Sequence, residues 1–142
     1  MRADSMASAF LDANVLLYSI STATAEAAKR RRAIELLERG DCALSVQVLQ
    51  EFYVQATRAA RADALAHDVA VGLIRAWRRF PVQETTLGVL DSALEIVARH
   101  RIAYWDACIV AAALTLGCER LYSEDMSHGQ RIGALTIFNP FA

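Results

Sequence analysis

Lysine is nearly absent from this chain, in which fourteen of the fifteen basic side chains are arginines and Lys29 is the only lysine. Any mechanism that needs a lysine elsewhere is therefore excluded. P-loop phosphate binding is excluded as well, because no glycine-rich loop is followed by Lys-Ser or Lys-Thr. The net charge is −1, so the chain has no overall basic field that would point to nucleic acid or to an anionic membrane.

The sequence gives no sign of a disulfide framework, a signal peptide or a membrane span. The three cysteines, Cys42, Cys108 and Cys118, are odd in number and lack metal-ligand spacing, which is typical of buried apolar residues in a reducing compartment. The apolar run 107–116 is far shorter than the roughly 20 residues that span a bilayer. We therefore expect a soluble cytoplasmic protein with no membrane contact, and we expect residues 1–6 to form a disordered N-terminal extension.

What the chain does contain is enough apolar side chains for one core: 55% of its 142 residues are hydrophobic, which fits a single domain over 1–142. Short apolar runs alternate with segments of helical periodicity. Strands are predicted at 9–11, 42–46, 82–85, 120–123 and 135–138, and helices at 24–39, 46–58, 62–80, 87–100 and 107–116. This alternation predicts an α/β fold with a parallel sheet between two layers of helices.

Two acidic residues follow predicted strands directly. Asp12 ends the buried run 9–11, and Asp125 comes just after the strand 120–123. The carboxyl ends of parallel strands meet at one edge of a sheet, where open α/β sheets leave a crevice for ligands. Asp12 has a second interpretation, because an aspartate at this position also begins a turn with Asn14.

Glu51 and Asp106 lie on or beside predicted helices. Helical periodicity puts Glu51 on the polar side of its helix, so the pattern alone favours an ordinary exposed glutamate. Asp106 precedes an almost uncharged helix, where a carboxylate satisfies free N–H groups and the helix dipole. The same position can direct the carboxylate into a crevice, and the two roles are compatible.

Converging carboxylates repel one another, and each has a raised pKa unless a cation shares the site. Oxygen ligands without histidine or thiol suit Mg²⁺ or Mn²⁺. Such a site can bind a phosphodiester, lower the pKa of a water and stabilise the leaving oxygen.

Five segments extend this argument. They are Phe10-Leu-Asp12-Ala-Asn14-Val-Leu-Leu-Tyr18, Leu44-Ser45-Val-Gln-Val-Leu-Gln-Glu51-Phe-Tyr53, Tyr104-Trp-Asp106-Ala-Cys-Ile-Val-Ala-Ala-Ala113, Leu121-Tyr-Ser123-Glu124-Asp125-Met-Ser-His-Gly129 and Ile137-Phe-Asn139-Pro140-Phe141. In this order and spacing they resemble the PIN-domain ribonucleases, and in particular the VapC toxins of type II VapBC toxin–antitoxin systems. The resemblance implies a PIN-like three-layer α/β/α fold with a mostly parallel sheet of about five strands.

The resemblance also implies which residues form the site. Its acidic quartet, which would bind the catalytic Mg²⁺ or Mn²⁺, is Asp12, Glu51, Asp106 and Asp125. Asn14 and Ser123 correspond to small polar residues that support this quartet, although family members often have threonine at the position of Ser123. Glu124 is either a supporting group or a surface acid, and we favour the surface acid.

The function implied by the resemblance is metal-dependent endonucleolytic hydrolysis of structured RNA, such as transfer or ribosomal RNA. Relatives of this kind form homodimers and are inhibited by a VapB-type antitoxin. Three alternatives stay open: a receiver-like signalling module with an acidic pocket, a PIN protein that binds RNA or a partner without cutting, and a processing nuclease without an antitoxin. A receiver domain places a lysine after a late strand, which this chain lacks.

Four further interpretations concern residues around these motifs. We expect Tyr53 and Trp105 to belong to the core. We interpret the basic run 29–32 as a solvated helix face, and we expect no acid–base role for His128.

Overall fold

The computed structural model describes residues 7–142, so the predicted N-terminal extension, residues 1–6, lies outside the described residues. The strands are β1 (Ala9–Leu11), β2 (Cys42–Ser45), β3 (Val82–Gln83), β4 (Arg120–Tyr122), β5 (Arg131–Ile132) and β6 (Leu135–Phe138). The helices are α1 (Ala13–Ser19), α2 (Ala27–Glu38), α3 (Val46–Ala56), α4 (His67–Trp77), α5 (Leu87–His100) and α6 (Tyr104–Thr115), and a 3₁₀ turn at Thr24–Glu26 precedes α2.

The strands form one sheet in the order β3-β2-β1-β4-β6-β5, parallel except for β5, which is antiparallel to β6. In the centre, Phe10 of β1 is paired with Ala43 of β2 on one side and with Leu121 of β4 on the other. The chain therefore moves outward from β1 to β2 and β3, and then returns to the opposite side of β1. This reversal creates a crevice between the carboxyl ends of β1 and β4, where ligands bind in open α/β sheets.

Helices cover both faces of this sheet. Right-handed crossovers place the helices between β1 and β3 on one face and those between β3 and β4 on the other. Helix α1 accordingly packs on α2 and α3, while α5 packs on α6. The predicted three-layer α/β fold is confirmed. Over residues 7–142, no helix is both long and apolar enough to cross a membrane.

The core follows the predicted apolar pattern closely at the central strand and at α6. All three residues of β1 are buried, as are the residues of α6 from Ala107 to Ala113, so this helix is enclosed on most sides as predicted. Cys42, Cys108 and Cys118 are buried free thiols, as expected.

Two elements were absent from the sequence-based prediction. Helix α1 begins directly after Asp12, whose carboxylate caps it by accepting a hydrogen bond from the backbone N–H of Ala13. Strand β5 pairs with β6 through a tight turn, so the sheet has six strands where about five were predicted. Both elements are short, with seven and two residues, and segments of this length have too few residues to show a clear period.

Several predicted helix boundaries were wrong, including the end of α4, which lies at Trp77 and not at residue 80 as predicted. Helix α4 begins at His67, because residues 58–66 form turns in place of the predicted first turns of the helix. Helix α6 begins at Tyr104, three residues earlier than predicted, and Asp106 lies within its first turn. An acidic residue near the N-terminus is favourable for a helix, so the sequence signal at Asp106 was correct although the boundary was not.

The core assignment of Trp105 was also wrong, since this side chain is 68% exposed. Tyr53 is only half-buried, and its hydroxyl is hydrogen-bonded to the imidazole of His67 at 2.9 Å. Aromatic character alone cannot separate a core residue from one on the rim of a cleft.

Candidate active site

A cleft of about 270 Å³ opens at the carboxyl edge of the sheet, where the chain order reverses. The structure brings all four predicted acids to it: its lining includes Asp12, Glu51, Asp106 and Asp125. The remaining lining residues are apolar or carry amides, so in the part of the chain that is described no basic side chain faces these carboxylates in the cleft.

Asp12 lies at the bottom of the cleft and is only 8% exposed. One carboxylate oxygen accepts a hydrogen bond from the N–H of Ala13 at 2.8 Å, and the other accepts one from the Ser123 hydroxyl at 2.7 Å. Burial, with the charges of Glu51 and Asp125 added, raises the pKa of Asp12 from 3.8 to about 6 against these two hydrogen bonds. The ionised form of Asp12 is therefore costly in the folded protein, and no positively charged side chain in the described part of the chain contributes to lowering its pKa.

Ser123 and Asn14 connect the ends of β1 and β4 across the crevice. The hydroxyl of Ser123 is fully buried; it donates to Asp12 and accepts from the N–H of Asp125 at 3.2 Å. The amide of Asn14 donates to Asp125 at 3.1 Å, and its oxygen accepts from the N–H of Glu124 at 3.3 Å. These contacts connect Asn14 and Ser123, the two predicted supporting residues, to Asp12 and Asp125.

Glu51 on α3 and Asp106 on α6 complete the acidic lining of the cleft. Glu51 is exposed, as its helical position predicts, yet its carboxylate faces the cleft and accepts a hydrogen bond from the amide of Gln47 at 3.1 Å. Partial burial raises the pKa of Asp106, and the charge of Asp125 adds to this effect. The two interpretations of Glu51 are thus compatible, because a solvent-facing side of α3 is also a wall of the cleft.

The donor set suits a hard divalent cation. Within residues 7–142, no three acidic, histidine or cysteine side chains stand close enough together to enclose an ion without adjustment. Glu51 is turned to the amide of Gln47, and Asp125 to that of Asn14, as expected for carboxylates that repel one another. These four carboxylates have no countercharge in the cleft from the described residues, and one of them has a pKa of about 6. They fit Mg²⁺ or Mn²⁺ chemically, because both ions prefer oxygen ligands.

Glu124 is not the free surface acid that we favoured. Its carboxylate accepts hydrogen bonds from the hydroxyl of Tyr18 on α1 and from the ammonium group of Lys29 on α2. Burial alone would raise the pKa of Glu124, but the hydrogen bonds from Lys29 and Tyr18 outweigh it and lower the pKa. The interpretation of the run 29–32 as a wholly solvated face is therefore wrong at Lys29, which points towards the loop that carries the site.

Sequence reasoning missed Tyr18 and Lys29 because each is remote in sequence from the acid it contacts. One signal was available for Tyr18: it follows Asn14 by four residues on α1, so both side chains lie on one face of that helix. His128 accepts a hydrogen bond from the N–H of Asn139 and is not among the residues that line the cleft.

Removing the hydroxyl of Ser123 is expected to destabilise the site. In Ser123→Ala, one oxygen of the buried Asp12 carboxylate loses its donor, which costs about 1–3 kcal/mol of unfolding free energy near neutral pH. Ser123→Thr keeps a hydroxyl and serves as the matched control. Urea denaturation at pH 7 measures both variants, and an alanine variant as stable as the wild type would show that the bond to Asp12 contributes little.

The sequence matches the PIN domain family over residues 9–130, and the chain belongs to this family. No curated protein sequence matches it at a significant level.

Solved structures with the same fold include a toxin–antitoxin complex and a toxin. A chain in a Klebsiella pneumoniae toxin–antitoxin complex is 20% identical, with a TM-score of 0.70 and coverage of 94% of this chain and 98% of that one. VapC20 of Mycobacterium tuberculosis, described as a toxin that cleaves the sarcin–ricin loop, is 22% identical, with a TM-score of 0.63 and coverage of 80% and 87%. DNA-bound VapBC of Salmonella typhimurium is 18% identical, with a TM-score of 0.65 and coverage of 93% and 97%. At these identities the likeness establishes the fold.

Proposed function

We propose that this chain is an endoribonuclease dependent on Mg²⁺ or Mn²⁺ and that it acts as the toxin of a VapBC-type toxin–antitoxin pair. The observation that carries the proposal is the cleft itself: four carboxylates, with no basic side chain from residues 7–142 in the lining, at the switch point of a PIN-family sheet. An acidic cleft repels a polyanion such as RNA, so it can act on a phosphodiester only with a cation bound between the two.

In this proposal Asp12, Glu51, Asp106 and Asp125 hold the ion. A divalent cation bound there supplies Lewis-acid stabilisation of the phosphate charge and lowers the pKa of a bound water. Ser123 and Asn14 orient the carboxylates of Asp12 and Asp125 before the substrate arrives, which reduces the rearrangement needed on binding.

The shape of the cleft suits a polymer better than a small metabolite. Its rim includes the exposed Glu51 and Trp105, so a phosphodiester within a longer chain can lie across it without threading through a closed pocket. In the proposed reaction an activated water attacks the phosphorus and the 3′ oxygen leaves, so the products carry a 5′-phosphate and a 3′-hydroxyl.

Cleavage of RNA by the purified protein tests the proposal. We expect discrete fragments of transfer or ribosomal RNA in the presence of Mg²⁺ or Mn²⁺ and none in the presence of a chelator. The fragments should accept ligation at the 5′ end without prior phosphorylation. A folded protein that binds metal and RNA but leaves every RNA of the cell intact would favour the alternative of a PIN protein that binds without cutting.

The proposed partners follow from the same comparison. One structural relative is described as a toxin–antitoxin complex, and FitAB and two VapBC structures are described as bound to DNA. An antitoxin tail that carries an arginine would form charge-assisted hydrogen bonds with these carboxylates, and no basic side chain from residues 7–142 lines the cleft to compete with it. In a host cell, expression of this chain alone should arrest growth, and expression of Asp12→Asn should not.

We also propose a homodimer. Large apolar side chains are exposed on α5 and beside the cleft: Leu87 is 79% exposed, Leu94 53% and Trp105 68%. A second copy of the chain would remove them from water. Sedimentation should give twice the chain mass of 15.6 kDa, and a monomer at micromolar concentration would contradict this part of the proposal.

A further inference from the structure

The loop that contains Asp125 is attached to helices α1 and α2 by a group of polar contacts outside the cleft. Glu124 and Asp125 are neighbours in sequence, but their carboxylates have different partners. Asp125 lines the cleft, whereas Glu124 contacts Tyr18 and Lys29. The only lysine of the chain is thus bonded to the residue next to a proposed metal ligand.

The contacts form a closed network. The ammonium group of Lys29 lies 2.5 Å from one oxygen of Glu124 and 3.3 Å from the hydroxyl of Tyr18, and it also stands 4.9 Å from the centre of the Tyr18 ring. The other oxygen of Glu124 accepts from the Tyr18 hydroxyl at 2.5 Å. Phe141 packs edge-on against the same ring at 4.9 Å, which restricts the movement of Tyr18.

The main chain of the loop is held on the same side. The N–H of Glu124 donates to Asn14, which lies one helical turn before Tyr18 on α1. The loop is therefore attached to α1 through its backbone and to both α1 and α2 through the Glu124 side chain. With Glu124 fixed in this way, the next side chain, that of Asp125, is directed into the cleft.

We propose that Lys29 is a positioning residue for the acidic quartet: by holding Glu124 against Tyr18, it fixes the loop that presents Asp125 to the cation. The inference rests on the proposed function, because it concerns the affinity of the same site for a divalent ion. A direct role for Lys29 in binding the RNA backbone is the competing explanation, since its side chain is 40% exposed.

The Mn²⁺ affinity of a Lys29 variant distinguishes a positioning role of Lys29 from the plain electrostatic effect of its charge. Lys29→Met removes a positive charge near the site, and electrostatics alone would make the variant bind a cation more tightly. Loss of positioning has the opposite effect, because the contacts behind metal ligands typically contribute 10- to 100-fold in affinity. We therefore expect Lys29→Met to bind Mn²⁺ about 10-fold more weakly than the wild type.

The experiment is a titration of the full chain with Mn²⁺, followed by calorimetry or by electron paramagnetic resonance of the free ion. Lys29→Arg keeps a cationic donor and should bind within a few-fold of the wild type. Arg31→Met is the matched control, since it removes one positive charge from an exposed position of the same helix and should leave the affinity unchanged or slightly tighter. Thermal unfolding in chelator confirms that each variant is folded.

A double-mutant cycle tests whether Lys29 acts through Glu124. Glu124→Gln should weaken Mn²⁺ binding by itself, and Lys29→Met should add little to it in the double variant, because the two substitutions break one contact. Independent effects that multiply would show that Lys29 acts by another route.

The results of these titrations distinguish a failure of the role proposed for Lys29 from a failure of the proposed metal-dependent function. A wild-type protein that does not bind Mn²⁺ overturns both. A wild type that binds while Lys29→Met binds equally well or more tightly overturns the inference alone. An unchanged Mn²⁺ affinity combined with weaker RNA binding would assign Lys29 to the substrate instead.

Discussion

Asp12→Asn is expected to stabilise the metal-free protein at neutral pH although it removes a proposed metal ligand. The reason is the buried carboxylate: burial, with the charges of Glu51 and Asp125 added, raises the pKa of Asp12 to about 6 from an ordinary value of 3.8. Ionising the group in the folded protein therefore costs about 3 kcal/mol relative to the unfolded chain. Asparagine avoids this cost and can still cap α1 and contact Ser123.

The pH dependence gives the sign of this effect. The pKa of Asp12 is raised on folding. The protonated Asp12 side chain therefore contributes its full share of stability below about pH 4, where it is protonated in both the folded and the unfolded protein. The contribution is lost as the pH rises through about 6, where the folded state ionises as well. The advantage of Asp12→Asn over the wild type should thus grow between pH 4 and pH 6 and stay constant above.

Urea denaturation in chelator at a series of pH values measures this difference. Asp91→Asn, on the exposed surface of α5, is the matched control and should show no such advantage. Addition of Mn²⁺ should reverse the order, because the ion binds the folded wild type and stabilises it by mass action. An Asp12→Asn variant that is less stable than the wild type at pH 7 in chelator would contradict this account of the site.

The second large effect is on cleavage. Replacement of any one of the four acids by its amide should reduce the rate of RNA cleavage by about a thousandfold or more, which corresponds to about 4 kcal/mol of transition-state stabilisation. The four variants are Asp12→Asn, Glu51→Gln, Asp106→Asn and Asp125→Asn. Since the acids act together on one ion, a double variant should lose little more than either single one.

Single-turnover cleavage at saturating Mn²⁺ measures this loss. Glu119→Gln is a suitable control, because Glu119 is exposed and precedes β4, at the edge of the sheet opposite the cleft. Glu51→Gln is the most informative of the four, since the helical pattern alone assigned Glu51 to an ordinary surface position. If Glu51→Gln cleaves RNA at the wild-type rate, Glu51 is not required for cleavage and only three acids remain in the proposed site.

The sequence was most informative where chemistry follows directly from the end of a strand. Asp12 and Asp125 each follow a buried apolar run, and the alternation of strands and helices is enough to place them at one edge of a parallel sheet. Asp106 was identifiable because a carboxylate interrupts an otherwise apolar segment. Glu51 was different: its position on a helix indicates exposure, and only the resemblance of the surrounding segments indicated that the exposed side faces a site.

Other features could not be predicted because they depend on contacts between distant parts of the chain. Lys29 and Glu124 are 95 residues apart, and no local pattern relates them. Trp105 was assigned to the core from its apolarity, whereas its direction is set by the packing of α6, which buries the residues after it. The two residues of β5 form a strand only because β6 lies beside them.

The central claim is that the four carboxylates share a divalent cation. Diffraction from crystals soaked in Mn²⁺, recorded near the manganese absorption edge, tests it most directly. We expect an anomalous peak in the cleft within about 2.0–2.3 Å of oxygens from Asp12 and at least one other acid of the quartet. A peak elsewhere on the protein, or an empty cleft at a Mn²⁺ concentration that supports RNA cleavage, would contradict the account.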